Sequence, residues 1–199
     1  MTRIFHVVMV GKIIFSCVIL LALIGCGSES TESGPKAYFV AVDTSKSAKP
    51  FHGEMFKYAS EVLMTAPMSS NVTVYRFDST PAEVYSSVPP GSTEEAGILL
   101  NKTLQHTSKT DGTNLQKLIV SIDQRIATVN GASRVVILTD CGVEMMTAQE
   151  KEQVKRITAK WDEQGSVDKI SLKGVQPGFR EELRELLRVS PSRLEFVEH

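Results

Sequence analysis

The stretch "VAVDTSKSA", Val40 to Ala48, decides how the rest of the chain is read. It ends a continuous apolar run, "AYFVAV" (Ala37–Val42), the pattern of a strand buried on both faces. Asp43 stands where that run stops, and hydroxyls follow at alternate positions, Ser45 and Ser47. Two explanations compete. The serines cap a following helix, or the three oxygen-bearing side chains hold a cation.

Beyond this stretch, strand-like and helix-like segments alternate. Met55, Ala59, Val62 and Leu63 fall on one helical face. "VTVYRF" (Val72–Phe77) reads as a second strand. "AEVYSSV" (Ala82–Val88) follows too soon for a helical crossover, so an antiparallel edge strand is expected there. Ser92 and Glu95 have capping-box spacing and open a helix with Ala96, Leu99, Leu100 and Leu104 inward. Another helix turns Leu115, Leu118, Ile119, Ile122 and Ile126 inward. "RVVILTD" (Arg134–Asp140) is the most strand-like run, expected at the sheet centre. A helix marked by Val154, Ile157 and Trp161 follows, then a strand at Val167–Leu172. A short helix at Leu183, Leu186 and Leu187 and a last strand at Arg193–Glu198 complete the pattern. Such alternation predicts an α/β fold with a doubly wound, mostly parallel sheet. Ligands of these sheets sit beyond the carboxyl ends of the strands. Asp43 and Asp140 are both expected on that rim.

The amino-terminal residues read as export machinery. Arg3 and Lys12 precede an uncharged apolar run, Ile13–Ile24, too short for a permanent span. It ends in "LIGC", Leu23 to Cys26, which resembles the lipobox of bacterial lipoproteins. That resemblance implies cleavage before Cys26 and covalent lipid on it. Residues 1–25 are then signal peptide, residues 26–36 the lipidated cysteine with a tether, and residues 37–199 one domain. The tether, "GSESTESGP" (Gly27–Pro35), is small and polar and reaches at most about 30 Å. Cys17 leaves with the signal and Cys26 carries lipid, so Cys141 alone remains and no intrachain disulfide is expected. Gly27, rather than an aspartate, follows Cys26. In a bacterium with two membranes this resembles export to the outer membrane, facing the periplasm; with one membrane, the outer face of the plasma membrane is expected. The net charge of −1 gives no footing for nucleic acid.

Three segments carry the chemistry: Asp43-x-Ser45-x-Ser47, Thr113 in "DGTN", and Asp140 in "ILTD". Together they offer two carboxylates and three hydroxyls, an all-oxygen set that suits a hard cation such as Mg²⁺. The order and spacing resemble the von Willebrand factor A domain and its metal-ion-dependent adhesion site, over Ala37 to about Phe196. The resemblance implies a six-stranded, Rossmann-like sheet with one antiparallel edge and helices on both faces. It implies that Ser45, Ser47 and Thr113 contact Mg²⁺ (or Mn²⁺ or Ca²⁺) through their hydroxyls. Asp43 and Asp140 would contact it directly or through water. An acidic side chain of a partner protein would complete the sphere. Two departures stand out. Cys141 occupies a position where the family often has glycine, and the family's common closing helix is not expected in the stretch up to His199 after the last strand, so one sheet face is expected to be less covered.

The function expected is a membrane-anchored binding module and not an enzyme. Two alternatives remain at this stage. A Mg²⁺-dependent phosphatase of the haloacid-dehalogenase type would use Asp43 as nucleophile, but wants a second acid where Ser45 stands. A structural envelope lipoprotein would use the metal only for stability. Gly-x-Ser-x-Gly, P-loop and Gly-x-Gly-x-x-Gly patterns are absent. Each hydroxyl has its own plain reading: Ser45 or Ser47 as a cap, and Thr113 as the cap of the helix near Asn114. Asp78 and Asp111 read as turn residues, Cys141 as a space-filler, and Lys46 as solvent-facing or touching a partner. His52, His106 and His199 are scattered, at surface or loop positions, with no metal-ligand spacing.

Overall fold

The computed structural model describes residues 34–105, 112–140 and 146–198. Strands and helices alternate: β1 (Ala37–Asp43), α1 (His52–Thr65), β2 (Asn71–Phe77), β3 (Ala82–Ser87), α2 (Thr93–Leu104), α3 (Leu115–Ile126), β4 (Ser133–Leu138), α4 (Ala148–Gln164), β5 (Val167–Lys173), α5 (Arg180–Leu186) and β6 (Leu194–Val197). The six strands form one sheet in the order β3-β2-β1-β4-β5-β6. All neighbours are parallel except β2 and β3, which pair antiparallel, so β3 is the expected antiparallel edge.

Residue alternation builds the two layers. Phe39, Ala41, Tyr75, Phe77, Val135, Ile137, Ile170 and Leu172 point to one face, where they meet the apolar sides of α3, α4 and α5. Tyr38, Val40, Val42, Val72, Val74, Val136 and Leu138 point to the other and meet α1 and α2. Every residue of β1 is buried, as a strand central to a two-layered sheet requires. The inward residues of α3 are Leu115, Leu118, Ile119, Ile122 and Ile126, as their spacing predicts. Burial of each such side chain contributes about 1.5–3 kcal/mol.

Helix ends differ in detail from expectation. Ser92 accepts from the Glu95 N–H, but the Glu95 carboxylate reaches back to Gly91 N–H instead of Ser92. The reciprocal capping box is found at α4, between Thr147 and Glu150. Leu104 is only partly buried, and Thr103 takes its inward place.

The sheet face under α1 and α2 is the less covered one. Over β5 and β6 it carries Lys169, Ser171, Lys173 and Glu195 instead of an apolar stripe. Ser171 and Lys169 reach Glu195 Oε2 at 3.0 and 3.1 Å, and Arg134 approaches the same oxygen at 3.9 Å. A cleft of about 360 Å³ opens beside it, between Glu54, Tyr58 and Glu61 of α1 and Lys173, Val197 and Glu198. Among the described residues, no helix is long and apolar enough to cross a membrane.

Candidate metal centre

The parallel register of β1 with β4, Val42 beside Leu138, brings Asp43 level with Thr139 at the carboxyl rim. Asp140 lies two residues beyond the end of β4, in the rim loop. Backbone bonds pin the surrounding loops. Thr44 N–H donates to Phe77 O at 2.9 Å, Thr139 N–H to Lys173 O at 2.9 Å, and Asn114 N–H to Asp78 O at 2.7 Å. The last of these ties the Thr113 loop to the end of β2.

Asp43 is fully buried. Its Oδ1 accepts from Ser45 N–H at 2.8 Å, closing a side-chain turn that fixes the exit from β1. Its Oδ2 accepts from Thr113 Oγ1 at 3.1 Å and from Thr139 Oγ1 at 2.6 Å. Ser45 Oγ lies 3.1 Å from Ser47 Oγ, and Ser47 donates to Asp140 Oδ1 at 3.4 Å. The five residues singled out from the sequence therefore lie in one hydrogen-bonded cluster. Its members come from β1, from the entry to α3 and from the end of β4. Burial decreases along it, from Asp43 and Ser45 to half-buried Asp140 and exposed Ser47, so the cluster faces solvent on its Ser47 side.

The capping readings fare poorly. Neither the short 3-10 turn at Lys49–Phe51 nor α1 has a side-chain cap. The one backbone N–H that Ser45 Oγ accepts from among the described residues is that of Ala48, at a long 3.4 Å. Asn114, not Thr113, caps α3, accepting from Lys117 N–H at 2.9 Å. Thr113 is thereby left to serve Asp43.

Burial pushes the Asp43 carboxyl above its ordinary pKa. The Asp140 charge pushes the same way, against the bonds from Thr139 and Ser45. A divalent cation would supply what this carboxylate lacks, positive charge at short range. The donor set also fits a hard cation, with two carboxylates and three hydroxyls. Among the described residues no group of three or more His, Cys, Asp or Glu gathers that could hold a metal ion.

Three residues of the site were not singled out beforehand. Thr139 makes the short bond to Asp43, and its only signal was its place before Asp140. His52 is half-buried, not at the surface, with Nε2 3.0 Å from Asp43 O. Gly174 has φ +95°, and a β-carbon there would lie 2.8 Å from Thr139 O. Asp111 and Cys141 lie outside the described residues.

No protein-family model matches the chain, and no curated protein does. Solved structures do. The von Willebrand factor type A protein from Catenulispora acidiphila superposes with a TM-score of 0.61 at 13% identity, over 83% of this chain and 39% of that one. The manganese-loaded TRAP protein of Plasmodium vivax gives 0.60 at 14% identity, over 82% of this chain and 68% of that one. The pilus adhesin SpaC from Lactobacillus rhamnosus GG gives 0.61 at 12%, over 85% and 28%. The chain thus spans well under half of the first and third. Its described body has the fold of the von Willebrand factor A domain.

Proposed function

We propose that the protein is a membrane-anchored binding module whose rim holds a Mg²⁺ ion (or Mn²⁺ or Ca²⁺) and captures an acidic side chain of a partner protein. One observation carries this reading. Thr113 and Asp140, 70 and 93 residues away from their partners in the chain, converge on the Asp43–Ser47 turn with only oxygen donors. Ser45, Ser47 and Thr113 would hold the ion through hydroxyls, and Asp43 and Asp140 directly or through water. When bound, the ion supplies a coordination position for an outside carboxylate. The polypeptide's own task is to aim hydroxyls outward at the exposed Ser47 end and to keep Asp43 from solvent. The manganese-loaded neighbour and the adhesin neighbour support the reading at the level of fold. The anchor is read from Leu23–Cys26, with lipid on Cys26 and residues 37–199 as the displayed domain. The location is the cell envelope, either the periplasmic face of an outer membrane or the outer face of a plasma membrane.

The phosphatase alternative needs an Asp43 oxygen free for attack. Both oxygens instead accept hydrogen bonds, and the side chain is buried. The experiment that decides is capture from envelope extract on the full chain in Mg²⁺, in EDTA, and with Asp140→Ala. A protein retained only by wild type in Mg²⁺ is the expected outcome. Equal capture in all three overturns the adhesion reading and leaves a stabilising metal.

A further inference from the structure

The pole of the sheet opposite the metal rim has its own chemistry. It is defined by register: Ala37 pairs with Asn71 and Ser133, and Val72 with Ser87. The start of β1 and the loops 66–70 and 88–92 therefore meet at one end. Four large apolar side chains are exposed among the described residues, and three belong here: Met64 (39%), Met68 (61%) and Val88 (50%). Met64 sits one residue before the end of α1, Met68 in the turn that follows, and Val88 just after β3.

Hydrogen bonds tie down the turns that carry Met68 and Val88. Ser70 donates from N–H and from Oγ to Pro67 O, at 2.9 and 2.6 Å. Asn71 N–H reaches Lys36 O at 3.0 Å, and Tyr85 Oη reaches Val88 O at 2.6 Å. The chain enters the domain beside them, since a β-carbon on Gly34 would touch Pro67 Cγ at 3.9 Å. Nine residues, Gly27–Pro35, separate Lys36 from Cys26.

We infer that this pole rests on the phospholipid bilayer, with Met68 and Val88 inserted at the headgroup boundary. The inference rests on the lipid-anchor reading of Cys26. The acyl chains supply most of the membrane affinity, and two exposed apolar side chains add orientation. Charge does not drive the contact. Lys36 is exposed at this end, but Glu94 and Glu95 stand in the first turn of α2 at the same end. Apolar insertion into a neutral interface suits that mixture. With β1 standing between the poles, docking would hold the Asp43 rim roughly 20–25 Å further from the bilayer than Met68, at about 3.3 Å per strand residue. It would also turn the rim away from the lipid.

The test uses the full lipidated chain in phosphatidylcholine vesicles containing bromine-labelled lipid, which quenches tryptophan at contact. Variants Met68→Trp and Val88→Trp report on the pole, and Thr80→Trp, exposed in the β2–β3 turn at the rim, is the control. Native Trp161 is buried, with Nε1 bonded to Asp123 Oδ1, and gives a constant background. Emission from positions 68 and 88 is expected to fall about twofold or more, the consequence of burial roughly 5–10 Å into the interface. Position 80 stays bright. A chain that floats with the vesicles while all three stay unquenched overturns the docking and leaves the anchor standing. Blue-shifted but unquenched emission at 68 and 88 means that protein, such as a second copy, covers the pole, and overturns the bilayer as occupant. A chain that does not float overturns the anchor and the docking together.

Discussion

Thr139 donates its hydroxyl to Asp43 Oδ2 at 2.6 Å, both groups buried, and so joins the ends of β4 and β1 across 96 residues of chain. This bond holds the deepest carboxylate of the rim in place from behind, away from the solvent side. Replacing Thr139 with Val keeps the volume and leaves a buried acceptor short of a donor, at a cost of about 1–3 kcal/mol. The denaturant midpoint should fall accordingly, and the stabilisation by added Mg²⁺ should shrink with it. An unchanged midpoint and unchanged Mg²⁺ response would show that Thr113 and Ser45 hold Asp43 unaided.

Asp43 makes stability depend on pH in a direction set by burial. Its folded-state pKa is raised, so the cost is absent below the ordinary carboxylate pKa. It develops as pH rises through that value and is full above the folded-state pKa. Metal-free protein should therefore be less stable at neutral pH than this group alone would permit in acid, and Mg²⁺ should remove the deficit. Asp43→Asn should equal or exceed metal-free wild type at pH 7 and lose all response to Mg²⁺. Melting curves with and without EDTA decide it. A destabilised Asp43→Asn protein that still responds to Mg²⁺ sinks the account.

Gly174 is tied to the site by space rather than by chemistry. Its φ of +95° and the 2.8 Å approach of a β-carbon to Thr139 O leave no room for alanine. Gly174→Ala should cost about 1–3 kcal/mol in backbone strain. It should also displace Thr139 and weaken Mg²⁺ binding, although it touches no candidate ligand. Titration calorimetry of this variant against Gly178→Ala, where a β-carbon meets nothing within 4 Å, separates the two effects.

Asp162 gives the opposite pH behaviour. The Ser190 N–H and hydroxyl, at 3.0 and 2.7 Å, hold its carboxyl below the usual range, and Arg193 assists. A depressed pKa contributes stability that is present above the ordinary carboxylate value and lost as pH falls through the folded-state value. This clip fastens the end of α4 to the segment leading into β6. The protection factors of β6 amides, corrected for the intrinsic pH dependence of exchange, should fall below about pH 4 in wild type. In Asp162→Asn they should be low at every pH. Wild-type β6 protection factors that do not change with pH would refute the clip.

Much of the architecture is legible because it rests on periodicity. The inward faces of α1 and α3 match residue for residue, since burial of a helix stripe leaves a direct mark on composition. The antiparallel β3 was legible from the short connection before it. The five oxygen donors could be grouped because each sits next to a strand end or helix start. Thr139 and Gly174 were missed for a common reason. Their roles arise from β1–β4 register for Thr139 and from a close β4–β5 backbone approach for Gly174, which no spacing along the chain announces. His52 was read as a surface or loop residue because its partner is a backbone oxygen, and backbone partners carry no sequence identity. The β5–β6 face shows the converse. There the partners are side chains, Lys169 and Ser171 with Glu195, yet their pairing on the less covered sheet face is apparent only in three dimensions.

The fully buried β1 has a mechanical consequence. It runs without a break from the chain entry near Lys36 to Asp43, paired at seven positions with β2 and at six with β4. If the proposed rim binding and Cys26 anchor both hold, tension between them would travel along this one strand. Both flanking ladders would then be loaded in shear, so that many hydrogen bonds must yield together rather than one after another. A domain strung this way would part from its partner, or from its lipid, before β1 slid out of the sheet.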